Sequence, residues 1–219
     1  MKIVKLLTRF KLFAKDGRAD KDFYRQNLAL IHRSSRVALF KSLLMNKTAL
    51  HIGCVDAPIF SPNHSLHLQL EPFCCSLDGL DVDAKGLEEL KIHCAKPSSM
   101  YSEVSAIPKN KHYDFILCPE TLEHVPNVQL FLNEIDKINF KSIILTAPNA
   151  FMSFPSKRFN GSSYGINGNY TEIIHPDHNA WYSPYTLRNV ILKYTPWKIK
   201  ELGLLEKTSM VYIFAEKNP

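Results

Sequence analysis

Apolar residues recur at two spacings along the chain, and the change from one to the other falls at Asn46-Lys47. Before it, Ile3, Leu6, Leu7, Phe10, Phe13 and Ala14 return every three or four positions, with Lys2, Lys5, Arg9, Lys15 and Arg18 between them. That is the period of an amphipathic helix with a basic outer face. Gly17 punctuates this stretch, and a second helix is predicted from about Asp22 to Met45. After the change, short apolar runs alternate with helical patterns. Strands are predicted at Thr48–Gly53, Ser76–Val82, Tyr113–Cys118 and Lys141–Ala147, with helices over Ala84–Cys94 and Val128–Ile138. A helical turn is expected around Ser65–Gln69, a weakly apolar strand near Met100–Val104, and a final pair of strands at Trp197–Leu205 and Ser209–Glu216. Such alternation indicates an α/β fold around a mostly parallel sheet. The chain thus divides into a helical cap or lid, residues 1–47, and an α/β domain, residues 48–219.

One stretch follows neither period. Phe154 to Tyr170 carries Asn160, Gly161, Ser162, Ser163, Gly165, Asn167, Gly168 and Asn169. Long irregular segments inside a folded domain are commonly functional loops, and this one follows a strand whose end faces the ligand-binding edge of open α/β sheets. A substrate loop over about 151–182 is expected.

Composition adds limits. With 219 residues and 45% hydrophobic content, the chain can build one substantial core. A net charge of +6 permits anionic partners, but no Lys/Arg block or RNA-binding motif appears, so nucleic acid is not the expected partner. The basic N-terminal helix can touch an anionic membrane surface or pack on its own domain. Cysteines 54, 74, 75, 94 and 118 form no Cys-x-x-Cys pair and read as free thiols of a reducing compartment. Without a membrane-length apolar run or a signal-peptide pattern, the expected location is cytoplasmic, with peripheral contact at the inner membrane face as a variant.

Three blocks carry the candidate chemistry. Leu50-His51-Ile52-Gly53-Cys54 is an apolar run ending in a glycine turn. Leu80-Asp81-Val82-Asp83 is a second strand ending in acids, and Tyr113-Asp114-Phe115-Ile116-Leu117-Cys118-Pro119-Glu120-Thr121-Leu122-Glu123-His124-Val125 is the third. In this order and spacing they resemble class I S-adenosylmethionine (SAM) dependent methyltransferases, among them small glycan and small-molecule O-methyltransferases. The resemblance spans about Thr48 to Lys217 and implies a Rossmann-like sandwich, with a seven-stranded, mostly parallel sheet and a C-terminal antiparallel hairpin. It also implies SAM as cofactor, held around Gly53, Cys54, Asp56, Asp81, Val82, Asp83 and Cys118. Asp81 would bind the ribose hydroxyls, and Asp83 would assist it or cap the next helix. Members usually show Gly-x-Gly at the first turn, whereas this chain reads Gly53-Cys54-Val55, which places a Cβ near the cofactor.

A helix starting near Pro119 would put Glu120, Glu123 and His124 on one face. Two acids and an imidazole there can bind a divalent cation such as Mg²⁺ or Zn²⁺; the alternatives are a general base at His124 or a purely structural turn. A fourth block, His175-Pro176-Asp177-His178-Asn179-Ala180-Trp181-Tyr182-Ser183-Pro184, resembles the segment after the fifth strand of the same enzymes. His175 and His178 can complete a metal site, supply the base or order the loop. Trp181 and Tyr182 can stack on an acceptor or pack in the core. Ser183 and Pro184 read as a helix cap and first helical residue. The expected activity is O-methylation of a sugar, glycan or related small acceptor. The rivals are nucleic-acid ribose methylation and a binding protein that keeps the fold without catalysis.

Overall fold

The computed structural model describes residues 28–55, 61–150, 163–164, 170–171 and 176–217. The expected N-terminal amphipathic helix and most of the 151–182 loop lie outside them. Eight strands form one sheet: β1 (Ile31–Arg33), β2 (Thr48–Ile52), β3 (Ser76–Leu80), β4 (Met100–Tyr101), β5 (His112–Pro119), β6 (Asn139–Pro148), β9 (Lys198–Leu205) and β10 (Met210–Glu216). A separate two-stranded ribbon pairs β7 (Ser163–Tyr164) with β8 (Tyr170–Thr171). The helices are α1 (Arg36–Leu44), α2 (Leu66–Leu70), α3 (Ala84–His93), α4 (Val128–Asp136) and α5 (Pro184–Tyr194).

The sheet order is β1-β9-β10-β6-β5-β2-β3-β4, and every pairing is parallel except the two made by β10. The mostly parallel sheet and the C-terminal hairpin are as expected, but the strand count is eight rather than seven. The added strand is β1, which corrects the helix predicted over Asp22–Met45. Ile31, His32 and Arg33 pair in parallel with Gly203, Leu204 and Leu205. A side chain at Gly203 would overlap the Ile31 carbonyl and the Tyr212 ring, so this glycine is what admits the edge strand. Ser35 then restarts the helix by accepting a hydrogen bond from Ala38 N at 3.2 Å.

Period-two alternation sorts the core into layers. Ile116 and Cys118 of β5 face one side with Leu50, Ile143 and Ile213, beneath Leu132 and Ile135 of α4 and Leu187 and Ile191 of α5. Phe115 and Leu117 face the other with Ala49 and Ile144, beneath Phe40 and Leu44 of α1 and Leu66 and Leu70 of α2. The result is a three-layer sandwich. His51 lies on the second face, stacked on His67 of α2 with ring centroids 5.4 Å apart, and neither imidazole has a hydrogen-bond partner. Burial pushes both histidines below their usual range, His67 to about 4.

From β2 the chain crosses to β3 on one side, and from β5 to β6 on the other. The C-terminal ends of β2 and β5 therefore form the switch point where open α/β sheets bind ligands. A groove of about 510 Å³ lined by Arg188, Leu192, Pro196, Trp197, Lys198 and Ile199 lies at the opposite edge, beside the start of β9. No described helix is long and apolar enough to cross a membrane.

Buried Asp78 ties three strands together. It accepts hydrogen bonds from Tyr113 Oη at 2.8 Å and Ser99 N at 3.0 Å, and pairs with Lys111 Nζ at 2.9 Å. Asp78→Asn removes the buried charge that these donors serve. It is expected to lower stability by about 2–4 kcal/mol in urea unfolding monitored by circular dichroism.

Candidate functional site

The β2 turn is built around Gly53, whose φ of +69° is left-handed and whose N–H donates to the Leu80 carbonyl at 2.8 Å. A Cβ there would sit 2.5 Å from Thr121 Oγ1, so the glycine also admits the β5 loop against the turn. Asp81 follows β3 at the same edge. Its Oδ2 accepts from Val55 N at 2.9 Å and its Oδ1 from Asp83 N at 3.0 Å. Two backbone donors thus lock the carboxylate while each oxygen keeps a lone pair for a further donor. Val82, 93% exposed, offers an apolar surface beside it. Asp83 caps α3 through Gly86 N at 3.0 Å, which is the second of its two expected roles.

The Val55 side chain packs toward α3. Its Cγ1 lies 2.5 Å from where a Cβ on Gly86 would be, so the branched side chain is turned onto the first turn of α3. The side chains of Cys54 and Cys118 are buried in the core. Burial raises both thiols, Cys118 to about 12, so these residues have only backbone to offer a ligand. Asp56 and His175 lie outside the described residues.

No helix begins at Pro119. The residue ends β5, Glu120 adopts a left-handed φ of +46°, and a turn over Leu122 to His124 follows, closed by His124 N donating to the Thr121 carbonyl at 3.1 Å. Glu120, Glu123 and His124 therefore do not share a helical face. Glu120 is directed to Arg36 of α1, with Oε2 3.2 Å from Nη1. What gathers instead is Glu123, His124 and His178, whose ligand atoms all lie within 4.8 Å of one another. The rings of His124 and His178 meet edge to face at 4.8 Å, and His178 meets Trp181 at 5.9 Å.

Backbone bonds impose this meeting. The Glu123 carbonyl accepts from Asn179 N at 2.6 Å and Ala180 N at 3.2 Å, while Asn179 Nδ2 donates to the His124 carbonyl at 2.7 Å. The third and fourth sequence blocks are thereby stitched together. Trp181 stays 45% exposed at the rim, whereas Tyr182 is buried in the core. Ser183 and Pro184 start α5 as expected, with a capping box closed by Thr186.

Glu123 is 1% exposed, and neither carboxylate oxygen has a hydrogen-bond partner. A carboxylate so placed gains from a proton, a cation or a donated hydrogen bond, and the nearest basic group is His124 Nε2 at 4.0 Å. Burial foremost, with the Glu120 carboxylate adding, pushes its pKa up to about 8. The three groups offer one carboxylate and two imidazoles, a donor set that suits Zn²⁺ or Mn²⁺ better than Mg²⁺. Arg36 had no distinguishing signal in the sequence, since it lies in a segment read only as helix.

No protein-family model and no curated protein matches the sequence. Solved structures do match. Magnesium protoporphyrin IX methyltransferase from Synechocystis PCC 6803, crystallised with bound S-adenosylhomocysteine (SAH), is 14% identical with a TM-score of 0.53, over 83% of this chain and 80% of that one. The N-terminal domain of EvdMO1, in the presence of SAH and D-fucose, is 15% identical with a TM-score of 0.52, over 100% and 98%. A chain of the Pnkp1/Rnl/Hen1 RNA repair complex is 15% identical with a TM-score of 0.56, over 82% of this chain and 40% of that one. Together with the sheet order, these likenesses give the chain the fold of class I SAM-dependent methyltransferases.

Raised burial of Glu123 has a pH signature in EDTA. Unfolded, its carboxyl titrates near 4.5, and folded near 8. Its contribution to stability is complete below pH 4.5 and is lost as pH rises through 8. Urea unfolding from pH 4 to 9 should show the wild type losing stability relative to Glu123→Gln across that window. Parallel curves would place Glu123 in an ordinary solvated setting.

Proposed function

We propose that the chain is a SAM-dependent methyltransferase acting on a hydroxyl of a sugar, glycan or related small acceptor. The observation that carries the reading is the placement, at one sheet edge, of a locked acid with a glycine turn and of a buried Glu123 beside the half-buried His124 and His178. Gly53 and the adjoining backbone, Asp81 and Val82 would hold SAM: the Asp81 oxygens accept from the ribose hydroxyls, and Val82 lies against the base. SAM, when bound, supplies a methyl carbon made electrophilic by its sulfonium. The protein's part is to orient the acceptor, exclude water and take away a proton.

A neutral hydroxyl is a poor nucleophile. His124 or His178 can accept its proton directly, and a divalent cation held by Glu123, His124 and His178 can lower the hydroxyl's pKa. Either route ends with the methyl group on oxygen and the hydroxyl proton on the protein or in water. Trp181, exposed beside His178, is a face on which a sugar ring can stack. The neighbour crystallised in the presence of SAH and D-fucose supports this acceptor class. A ribose hydroxyl of RNA is the second reading, favoured by the neighbour from an RNA repair complex.

Calorimetric titration with SAH, in EDTA and then with Mn²⁺ or Zn²⁺, is the test. One saturable site per chain is expected. Asp81→Ala should weaken it at least about tenfold through loss of two charge-assisted hydrogen bonds, with the fold intact by circular dichroism. Gly53→Ala should weaken it comparably through the clash with Thr121. A folded wild type that binds no SAH under any of these conditions would leave a binding protein on a methyltransferase fold. Methyl transfer to sugars against RNA then separates the two acceptor readings.

A further inference from the structure

Arg36 stands at the first position of α1, far in sequence from every other residue of the site. Its backbone N–H donates to Glu206 Oε1 at 2.8 Å, and Ser35 caps the helix, so α1 is anchored without using the Arg36 side chain. That side chain is spent on Glu120 at 3.2 Å. The Glu120 N–H is held by the carbonyl and hydroxyl of Thr146 at 2.9 and 3.2 Å, in a left-handed conformation that non-glycine residues seldom adopt. Its second oxygen, Oε1, is buried without a hydrogen-bond partner. Glu120 stands three residues before the buried Glu123, across the turn that follows β5. Two carboxylates thus crowd one region, and the guanidinium neutralises one of them.

We propose that Arg36 is a positioning residue that sets the cation affinity of the Glu123, His124 and His178 cluster by holding Glu120 paired and outside it. The inference rests on the cation reading given above. With Arg36 in place, a divalent ion meets one uncompensated carboxylate and two imidazoles. Without it, the ion meets two carboxylates and no opposing cation, and affinity for hard and borderline divalent ions rises with ligand charge. The pair therefore keeps binding weak and the ion exchangeable. It also links α1, and through Glu206 the β9–β10 turn, to the chemistry at the end of β5.

The test titrates the full-length protein with Mn²⁺ and follows the free ion by electron paramagnetic resonance, with no methyl transfer required. Arg36→Met should bind Mn²⁺ about tenfold more tightly than wild type. Arg36→Lys, which keeps the charge, should stay within about twofold of wild type. Glu120→Gln, which leaves the guanidinium unopposed, should bind more weakly, and the Arg36→Met/Glu120→Gln double variant should fall back to about the wild-type value. Thermal melts identify variants that are folded, and the Lys and Gln substitutions keep the proposal exposed if Arg36→Met is not. Equal Mn²⁺ affinity in wild type and folded Arg36→Met, or a gain that survives in the double variant, would overturn the role of Arg36 and leave the cation site standing. Binding unchanged by Glu123→Gln, or absent from wild type and Arg36→Met alike, would overturn both.

Discussion

The pairing of β2 with β5 is the constraint on which everything else depends. Asp114 locks its lower end, accepting from Thr48 N and Thr48 Oγ1 at 2.9 Å each, while Asp114 N donates back to Thr48 Oγ1 at 3.1 Å. Hydrogen bonding holds the carboxyl of Asp114 below its usual range. From that clamp the parallel register runs Ala49 to Phe115, Leu50 to Ile116 and His51 to Leu117. At the upper end it delivers Gly53 against Thr121. A one-residue slip would turn each buried side chain to the wrong face and part the glycine turn from the β5 loop. The opposed crossovers from these two strands then open the edge where Asp81 lies on one side and Glu123 on the other.

Electrostatics at that edge is a matter of few charges, of which only Glu123 is fully enclosed. Glu123 is enclosed without a donor of its own, Glu120 has one of its two oxygens satisfied, and Arg36 offsets a single charge. A buried carboxylate in this state is costly unless it gains a proton or a cation. The same protein spends donors freely elsewhere: Asp78 receives three, and Glu71 receives Ala95 N and Lys96 N at 3.0 and 2.8 Å. The contrast sets Glu123 apart from the structural acids. It is what distinguishes a site from a well-built core.

Most of the sheet was legible because its strands bury both faces and so read as apolar runs bounded by Gly, Pro and Asn. Thr48, Tyr113, Lys198 and Met210 stand at strand positions within a residue or two of prediction. The cap at Ser183 was equally legible, and the cap at Asp83 was one of its two expected roles, since a short polar side chain before an apolar period can close the first helical turn. Two features were not. Ile31 to Arg33 carry no strand signal of their own, because their pairing is dictated by Gly203, some 170 positions later. Pro119 suits a first helical turn as well as a strand end, and the choice was made by Thr146, whose carbonyl and hydroxyl take the Glu120 N–H. Non-local partners decided both cases. The site shows the same divide: Asp81 and Glu123 could be named from local pattern, whereas Arg36 could not.

The altered glycine loop illustrates how a local rule is broken and compensated. A second glycine after Gly53 would let the loop lie flat beneath a ligand, and Val55 in its place ought to obstruct it. Instead the residue's N–H is drawn to Asp81 and its side chain to α3, where Gly86 leaves the room that a Cβ would fill. The glycine lost from the loop has a counterpart across the contact, in the helix that the loop packs against. This bond also fixes the Asp81 carboxylate, and because a backbone N–H makes it, the bond does not depend on which side chain stands at position 55. Freedom at the turn has been exchanged for pre-organisation, which lowers the ordering cost that a ligand must meet on binding. The departure at Val55 therefore leaves the turn closed, with Gly86 as part of its construction.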